Sequence, residues 1–441
     1  MIFQNIYNNY LTCMRCLHII YILINSYIKF NSTNLLLFIQ DKECLPRLEL
    51  IKTITKKIEY INIVYIKIFQ ILCLNDDILF DKEKDYLLKY TDSVPFLESD
   101  IDYNTIDILE SKYNIEVDIN EILNSGIISV VFKGIYKNKK VVIKIIKNDI
   151  NRKIIDAILV MEIFIKIISI IPNIRKLNLK KCILDNKELL LEQTNFIKEV
   201  NNIQIFKEKN TNNREYIFPE CYPEITNEYN NVIVMENIKG LTYNDIKDYD
   251  DSIKQEFGKL LIKFGFISIL YNSAIHCDIH PGNLFFYINK DNSNKPKYQI
   301  GFIDFGIITF PSRENQNYYY TFFKNIQIDK EYDKLKDILY NAIIEEKDKY
   351  LLEKNKINEE VILILKKHAS DKSFDVKFFF YLSQTLNSYG LSFCKEFNQL
   401  SLSLQVVNSL AEILCKKENL KKFQDEVILS FNKINKLLEI E

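Results

Sequence analysis

Tryptophan is absent from this chain of 441 residues, and arginine, histidine and glycine are scarce. Six arginines (Arg15, Arg47, Arg152, Arg175, Arg214 and Arg313) stand among 58 basic residues, which leaves 52 lysines. The excess of lysine, asparagine and isoleucine reads as a coding bias, so each rare residue type carries more information. The formal net charge is −1. A charge so near zero supplies no broad basic footprint and argues against nucleic acid as a partner. At 47% hydrophobic and 27% charged the composition excludes a mostly disordered chain. The nine cysteines are odd in number and mostly scattered, which argues against a disulfide framework and for free thiols in a reducing compartment. Cys13 and Cys16 with His18 make a metal-like start, but no second pair follows at finger spacing, so buried thiols are the plainer reading. No run of about 20 clean apolar residues is present. The nearest, residues 17–28, contains His18, Asn25 and Ser26 and is too short. The first acidic residue is Asp41. An acid-free start leaves three readings open: a targeting peptide, a helical extension packed on the main domain, or a helix at a membrane surface.

At roughly 100–200 residues per domain the length predicts two or three lobes. Residues 1–60 are apolar, lysine-dotted and free of glycine, which predicts helix. Helical spacing continues through 61–90, and 101–123 read as a helix or short helices. The texture then changes. Residues 127–135 and 141–146 are rich in β-branched residues and flank a polar connector, which predicts a β-hairpin. Helix is expected over 151–171 and 187–209, a loop over 210–230, a short buried strand over 232–235, and a long apolar helix over 252–273. From 313 onward nearly everything reads as helix. There are no internal repeats.

Two of the four histidines lie in His276-Cys277-Asp278-Ile279-His280-Pro281-Gly282-Asn283. An apolar strand follows (284–288), then a polar loop, a second strand (298–303) and Asp304-Phe305-Gly306. Folding that hairpin at its midpoint brings Asn283 and Asp304 together at the open end. An amide oxygen and a carboxylate there are hard ligands suited to Mg²⁺. Asp278 lies five residues before Asn283 and can face the same ion or its substrate. The plain alternative, a polar turn with an N-cap aspartate, suits one aspartate better than the whole constellation. Lys144 shares a strand face with Val142 and Ile146, so its ammonium is expected in apolar surroundings and needs an anionic partner. Ser125 and Gly126 open the first hairpin, where a turn of small residues lets backbone N–H groups approach a phosphate. Turn, strand lysine, Asp-x₄-Asn loop and Asp-Phe-Gly, in that order, read as a kinase-type nucleotide site using ATP and Mg²⁺. Cys277 inside the loop reads as an inert thiol, since a neighbouring carboxylate disfavours its thiolate.

The loop His276 to Asn283 resembles the His-x-Asp-x-His-Pro-Gly-Asn motif of the UbiB/ADCK atypical kinase family, and the resemblance covers roughly residues 60–315. Val141 to Lys144 is similar to that family's strand-lysine motif. Residues 235–240 resemble its hinge, which implies nucleotide contacts at Glu236 and Ile238. Residues 195–202 resemble the helix that carries the lysine's ion-pair partner, which implies that role for Glu199. Lys67 and Gln70 match two positions of the family's N-terminal Lys-x-Gly-Gln element, with Phe69 in place of a glycine. Gln193 and Asn195 replace the acids of its Glu-x-Asp motif, and amides cannot pair with Lys67 as carboxylates do.

The resemblance implies an α+β, bilobal protein-kinase-like fold, mostly helical, with a small antiparallel sheet in the first lobe and helices inserted around it. Residues 1–60 read as an N-terminal helical extension or targeting region, and the resemblance implies 61–238 as the first lobe and 239–441 as a helical second lobe. It implies catalytic roles for Asp278, Lys144 and Glu199, and metal ligation by Asn283 and Asp304. Nucleotide contacts fall on Ser125, Gly126, Lys144, Glu236, Ile238, Lys67 and Gln70. A membrane or prenyl-lipid partner and a role in quinone metabolism come with the family, and so does an organellar or membrane-associated setting. No Ala-Pro-Glu closes an activation segment after Asp-Phe-Gly, which argues against a protein substrate. Two other readings stay open: a small-molecule phosphotransferase of the aminoglycoside/choline kinase type, and a nucleotide-binding pseudokinase.

Overall fold

The computed structural model describes residues 2–40, 42–65, 94–168, 190–289, 295–369 and 376–438, with positions 80, 82–83, 86–87 and 374 between them. The chain divides into two units. One holds Met1–Ile197 with Tyr222–Asn237, the other Lys198–Cys221 with Ile238–Glu441.

The first unit opens with helices α1 (Ile2–Ile39) and α2 (Arg47–Ile61). Within α1 the stretch Tyr10–Ile39 is long and apolar enough, by length and composition, to cross a membrane, although only 28% of its richest window is buried. This corrects the sequence reading, which counted only uninterrupted apolar runs and stopped at Ile28. Helix α3 (Tyr103–Tyr113) is capped by Asp102, whose carboxylate accepts from the Thr105 N–H, and ends where Asn114 turns left-handed at φ 54°. Residues expected to continue that helix instead form strand β1 (Glu116–Ser125). Pairing along β2 overrides their local helical preference, and Val117 and Ile122 turn apolar groups toward the core.

Strands β2 (Ser129–Tyr136) and β3 (Lys139–Ile146) make the expected hairpin. Its turn is tighter than the polar connector suggested: two residues, Lys137 and Asn138, both at positive φ (50° and 60°), which matches the twist of the paired strands. Gly134 is required at its place, because a Cβ there would lie 2.5 Å from the Glu116 carbonyl and from Ile143. Strand β5 (Val232–Glu236) completes an antiparallel sheet in the order β1-β2-β3-β5. Its core face carries Val130, Phe132, Val141, Ile143 and Ile145, packed with Ile106 and Leu109 of α3. Helix α4 (Ile150–Ile168) packs with α1 and α2 around Ile19, Ile58, Ile154 and Ile158.

The second unit is mostly helical. Residues 190–192 are helical, a turn follows at Gln193–Thr194, and helix α5 runs Phe196–Lys209. The single helix expected over 187–209 is therefore broken at its amide-rich segment. The loop expected over 210–230 contains β4 (Tyr216–Ile217) and, in the part that belongs to the first unit, the short helix α6 (Pro223–Glu228). Helix α7 (Asp251–Leu270) is buried around most of its circumference. It meets α11 (Lys395–Leu414) closely at Gly258, where a Cβ would lie 2.8 Å from Cys415 Sγ. Strand β6 (Ile275–His276) pairs with β9 (Ile308–Thr309), and β7 (Leu284–Ile288) with β8 (Tyr298–Phe302), which also takes β4 in parallel. Helices α8 (Arg313–Lys324), α9 (Lys354–Ala369), α10 (Val376–Ser388) and α12 (Lys417–Leu438) complete the unit with α11.

Candidate functional site

In the second unit the catalytic-loop residues meet the Asp-Phe-Gly segment through one hairpin. Leu284 pairs with Phe302, so Asn283 stands opposite Ile303, whose N–H donates to the Asn283 carbonyl at 3.3 Å. Asp304 lies one residue further, a shift of one from the sequence register. Asn283 is buried, and its Nδ2 donates to the Asp278 carbonyl at 3.2 Å. That bond fixes the amide's orientation and leaves its oxygen as the side-chain acceptor. Asp304 Oδ1 accepts from the Gly306 N–H at 3.0 Å, which orients the carboxylate. An amide oxygen and a carboxylate on adjoining strand ends suit Mg²⁺, which takes one or two protein oxygens and completes its shell with water and phosphate. Among the described residues no group of three or more His, Cys, Asp or Glu gathers as a metal site. Cys13 is exposed and Cys16 buried, and both are free thiols.

In the sequence His276 stands only as part of the motif; the structure gives it a specific place. It is buried, and burial pushes its pKa below the usual 6.5 against the pull of Asp278 and Asp304. Its Nε2–H donates to the Asp304 carbonyl at 2.7 Å, and its Nδ1 accepts from the Asp278 N–H at 3.3 Å. One neutral imidazole, in one tautomer, thus spans the backbone of both aspartates. Ser403 Oγ on α11 donates to the His276 carbonyl at 2.8 Å. Asn202 on α5, also buried, donates from Nδ2 to the Phe305 carbonyl at 2.9 Å. Phe305 is fully buried and packs with Phe206, Phe218 and His276. Asn202 closes the family-like segment 195–202 without a role implied there, and Ser403 belongs to no motif, so only three-dimensional placement reveals what either does.

The neutral state of His276 has a pH consequence. The unfolded histidine binds its proton near pH 6.5 and the folded one only lower, so below that value the unfolded state holds more protons. Stability therefore falls as pH drops below about 6.5. The thermal midpoint of the wild-type chain is expected to decline across that window. His276→Gln, less stable throughout, should show a flatter profile there. Parallel profiles would refute the assignment.

Glu199 is buried in the first turn of α5, where the helix dipole favours a carboxylate. Ile238 is buried against Gly301. After Gly306 the chain passes through β9 and Ser312, which caps α8 by accepting from the Asn315 N–H. The segment that docks peptides in protein kinases is thereby reduced to a few residues.

In the first unit Lys144 departs from expectation. The core face of β3 is Val141, Ile143 and Ile145, whereas Val142, Lys144 and Ile146 are half-buried. Its ammonium is not sealed in apolar surroundings, and Nζ lies 5.3 Å from the centroid of the Phe196 ring. Glu236 is exposed at the end of β5. Ser125 is buried, and the Gly126 N–H donates to the Ser129 carbonyl at 3.0 Å, so in this conformation that N–H serves the turn and not a phosphate. A cavity of about 500 Å³ adjoins the turn, lined by Phe96, Ile122, Asn124 and Ser125 among others. Lys67, Phe69 and Gln70 lie outside the described residues.

A four-stranded antiparallel sheet bearing a lysine, and a helical unit bearing an Asp-x₄-Asn loop hairpinned to Asp-Phe-Gly, define a bilobal α+β protein-kinase-like fold. Residues 120–339 match the model of the ABC1 atypical kinase-like domain, and through them the chain belongs to the UbiB/ADCK family of atypical kinases. The chain is 32% identical over 187 residues to the probable protein kinase UbiB of Vibrio vulnificus strain CMCP6, spanning 41% of this chain and 33% of that protein. It is 27% identical over 272 residues to the protein of the same name from Erwinia tasmaniensis, spanning 59% and 48%. The alignments thus span a third to a half of those relatives' length. A solved structure of Rv3197 with erythromycin, from Mycobacterium tuberculosis, aligns over 81% of this chain and 90% of its own at 17% identity, with a TM-score of 0.46.

Proposed function

We propose that the chain is an ATP- and Mg²⁺-dependent atypical kinase or ATPase that acts on a small or lipid-linked acceptor in support of quinone or other prenyl-lipid metabolism. The observation that carries this reading is the loop-and-hairpin geometry: Asn283 tied to the Asp278 carbonyl, and Asp304 beside it, with His276 holding the backbone of both aspartates. Asn283 and Asp304 would hold the metal, which when bound would neutralise phosphate charge. We assign phosphate binding to Lys144, the ion-pair role of the family's helix to Glu199, and nucleotide contacts to Ser125, Gly126, Glu236, Ile238, Lys67 and Gln70, the last two by resemblance alone. Asp278 orients the acceptor hydroxyl and takes its proton as the acceptor oxygen bonds to the γ-phosphorus. The bond from that phosphorus to the bridging oxygen breaks, and ADP leaves with its electron pair. With water as acceptor the same steps give ATP hydrolysis. The short passage from Gly306 to Ser312 supports an acceptor other than a folded protein.

The test is ADP release and phosphoryl transfer by the full chain with prenyl-lipid and quinone-like acceptors. Asp278→Asn should lower turnover by about 10²–10⁴-fold while Mg-ATP binding persists. Unchanged turnover in that variant would sink the assigned role. Binding without any turnover dependent on Asp278 would make the chain a nucleotide-binding pseudokinase. Faster transfer to a soluble amino-alcohol would favour a choline-kinase type of reaction.

A further inference from the structure

Helix α1 has two apolar sides. The inner one, with Thr12, Cys16, Ile19, Ile22 and Ser26 buried, packs in the first unit. Polar contacts fasten it there: Arg15 pairs with Asp156 of α4 at 2.7 Å, and Lys57 of α2 donates to Ser26 Oγ at 3.1 Å. The outer one is open. Tyr10, Met14, Leu17, Tyr21, Ile24, Ile28, Asn31, Leu35 and Phe38 follow one another at alternating intervals of four and three residues. All nine are exposed, the eight apolar or aromatic ones by 48–72%. This is the a/d spacing of a coiled coil, held over four heptads along about 42 Å of helix. A face that only covers its own core follows a broader 3.6-residue stripe.

We infer that this outer seam of α1 is a self-association surface, and that its occupant is the same seam of a second copy of the chain. Three observations favour that occupant over lipid. No seam residue is charged, so two copies meet without repulsion and the seam has no electrostatic attraction for anionic headgroups. Asn31 interrupts it at a single core position, a d position by this spacing, and its amide is costly against hydrocarbon but can meet the amide of a second copy. The exposed side chains offer about 100 Å² each, on the order of 800 Å² per copy, which is what a standard interface takes from each partner. The inner-face ion pair and hydrogen bond keep α1 on its unit, so the seam is presented to solvent on a rigid support. The inference is independent of any nucleotide chemistry.

Sedimentation velocity on the full chain, from nanomolar to tens of micromolar, tests it. The wild type should pass from monomer to dimer. Leu17→Lys with Ile24→Lys should remain monomeric, with a melting midpoint close to that of the wild-type monomer. If that double variant folds poorly, Ile24→Gln alone should weaken the dimer by about tenfold or more. Asn31→Leu should tighten it and relax its register. A wild type that stays monomeric throughout overturns the inference, and so does a dimer that none of these substitutions moves. A monomeric chain that floats with phosphatidylcholine or phosphatidylserine vesicles, and loses that binding in the double variant, overturns it in favour of a membrane surface.

Discussion

Asp304→Ala is expected to abolish the stabilisation that Mg-ATP confers and to reduce turnover to background. A ligand present at about 100 times its dissociation constant raises stability by about 2.7 kcal/mol. For the wild-type chain that should register as a clear upward shift of the first unfolding transition, seen only when Mg²⁺ and ATP are present together. The variant removes a carboxylate whose one oxygen is already oriented by the Gly306 N–H, so the loop keeps its backbone bond from His276 and folds. What it loses is one of the two hard oxygens on the strand ends. Comparison with Asp278→Asn separates the roles: the first should lose metal-dependent binding, the second turnover alone. An undiminished Mg-ATP shift in Asp304→Ala would dismiss the metal assignment whatever happened to activity.

The second large effect runs toward greater stability. Lys147, just past β3, is 2% exposed, and among the described residues its Nζ has no hydrogen-bond partner. Burial pushes its pKa down to about 8, opposed by the charge of Asp100 and abetted by Lys153. Asp100 draws on its charge only as the last of several causes. Burial alone would raise that carboxyl, but the Leu97 N–H and Lys153, at 2.9 and 2.6 Å, hold it below the usual value. The folded lysine gives up its proton more readily than the unfolded one at 10.5, so holding the charge below about pH 8 costs stability. A shift of that size corresponds to about 3 kcal/mol. Lys147→Met, of similar length and apolar, should therefore raise stability at neutral pH by about 2–3 kcal/mol. The gap to wild type should close as pH rises from about 8 through about 10.5, above which the wild-type amine is neutral in both states. Urea titrations of both proteins at several pH values measure it. A destabilised variant, or a gap independent of pH, would contradict the account.

The candidate site was more legible than the architecture that carries it. Asn283 and Asp304 could be brought together from strand lengths alone, because a hairpin has a midpoint and a two-residue side-chain period. The one-residue error came from the polar loop, whose path the pattern does not specify. Strand β1 escaped notice because Glu116–Ser125 has neither a clean alternation nor a buried face. It lies at the sheet edge, and its pairing with β2 is a tertiary fact. Lys144 was placed on the right strand but in the wrong surroundings. Periodicity says which residues share a face, not which of two apolar faces is the core. The seam of α1 is an interrupted apolar run along the sequence and becomes continuous only around the helix. Asn202, Ser403 and Lys147 are ordinary residue types, and only distance and burial distinguish them.

The Asp-Phe-Gly segment is fastened by consecutive carbonyls, Asp304 to His276 and Phe305 to Asn202, with the Phe305 ring sunk among aromatic neighbours. Turning that phenylalanine out would strand two buried donors, at about 1–3 kcal/mol each, and expose a ring whose burial is worth about 1.5–3 kcal/mol. At a total near 5 kcal/mol the outward form would make up on the order of one molecule in several thousand. An inhibitor that needs the flipped loop would have its apparent affinity weakened by that same factor. Compounds that accept the inward loop would meet no such barrier, so ligands for this segment should be sought among those that leave the Phe305 ring buried.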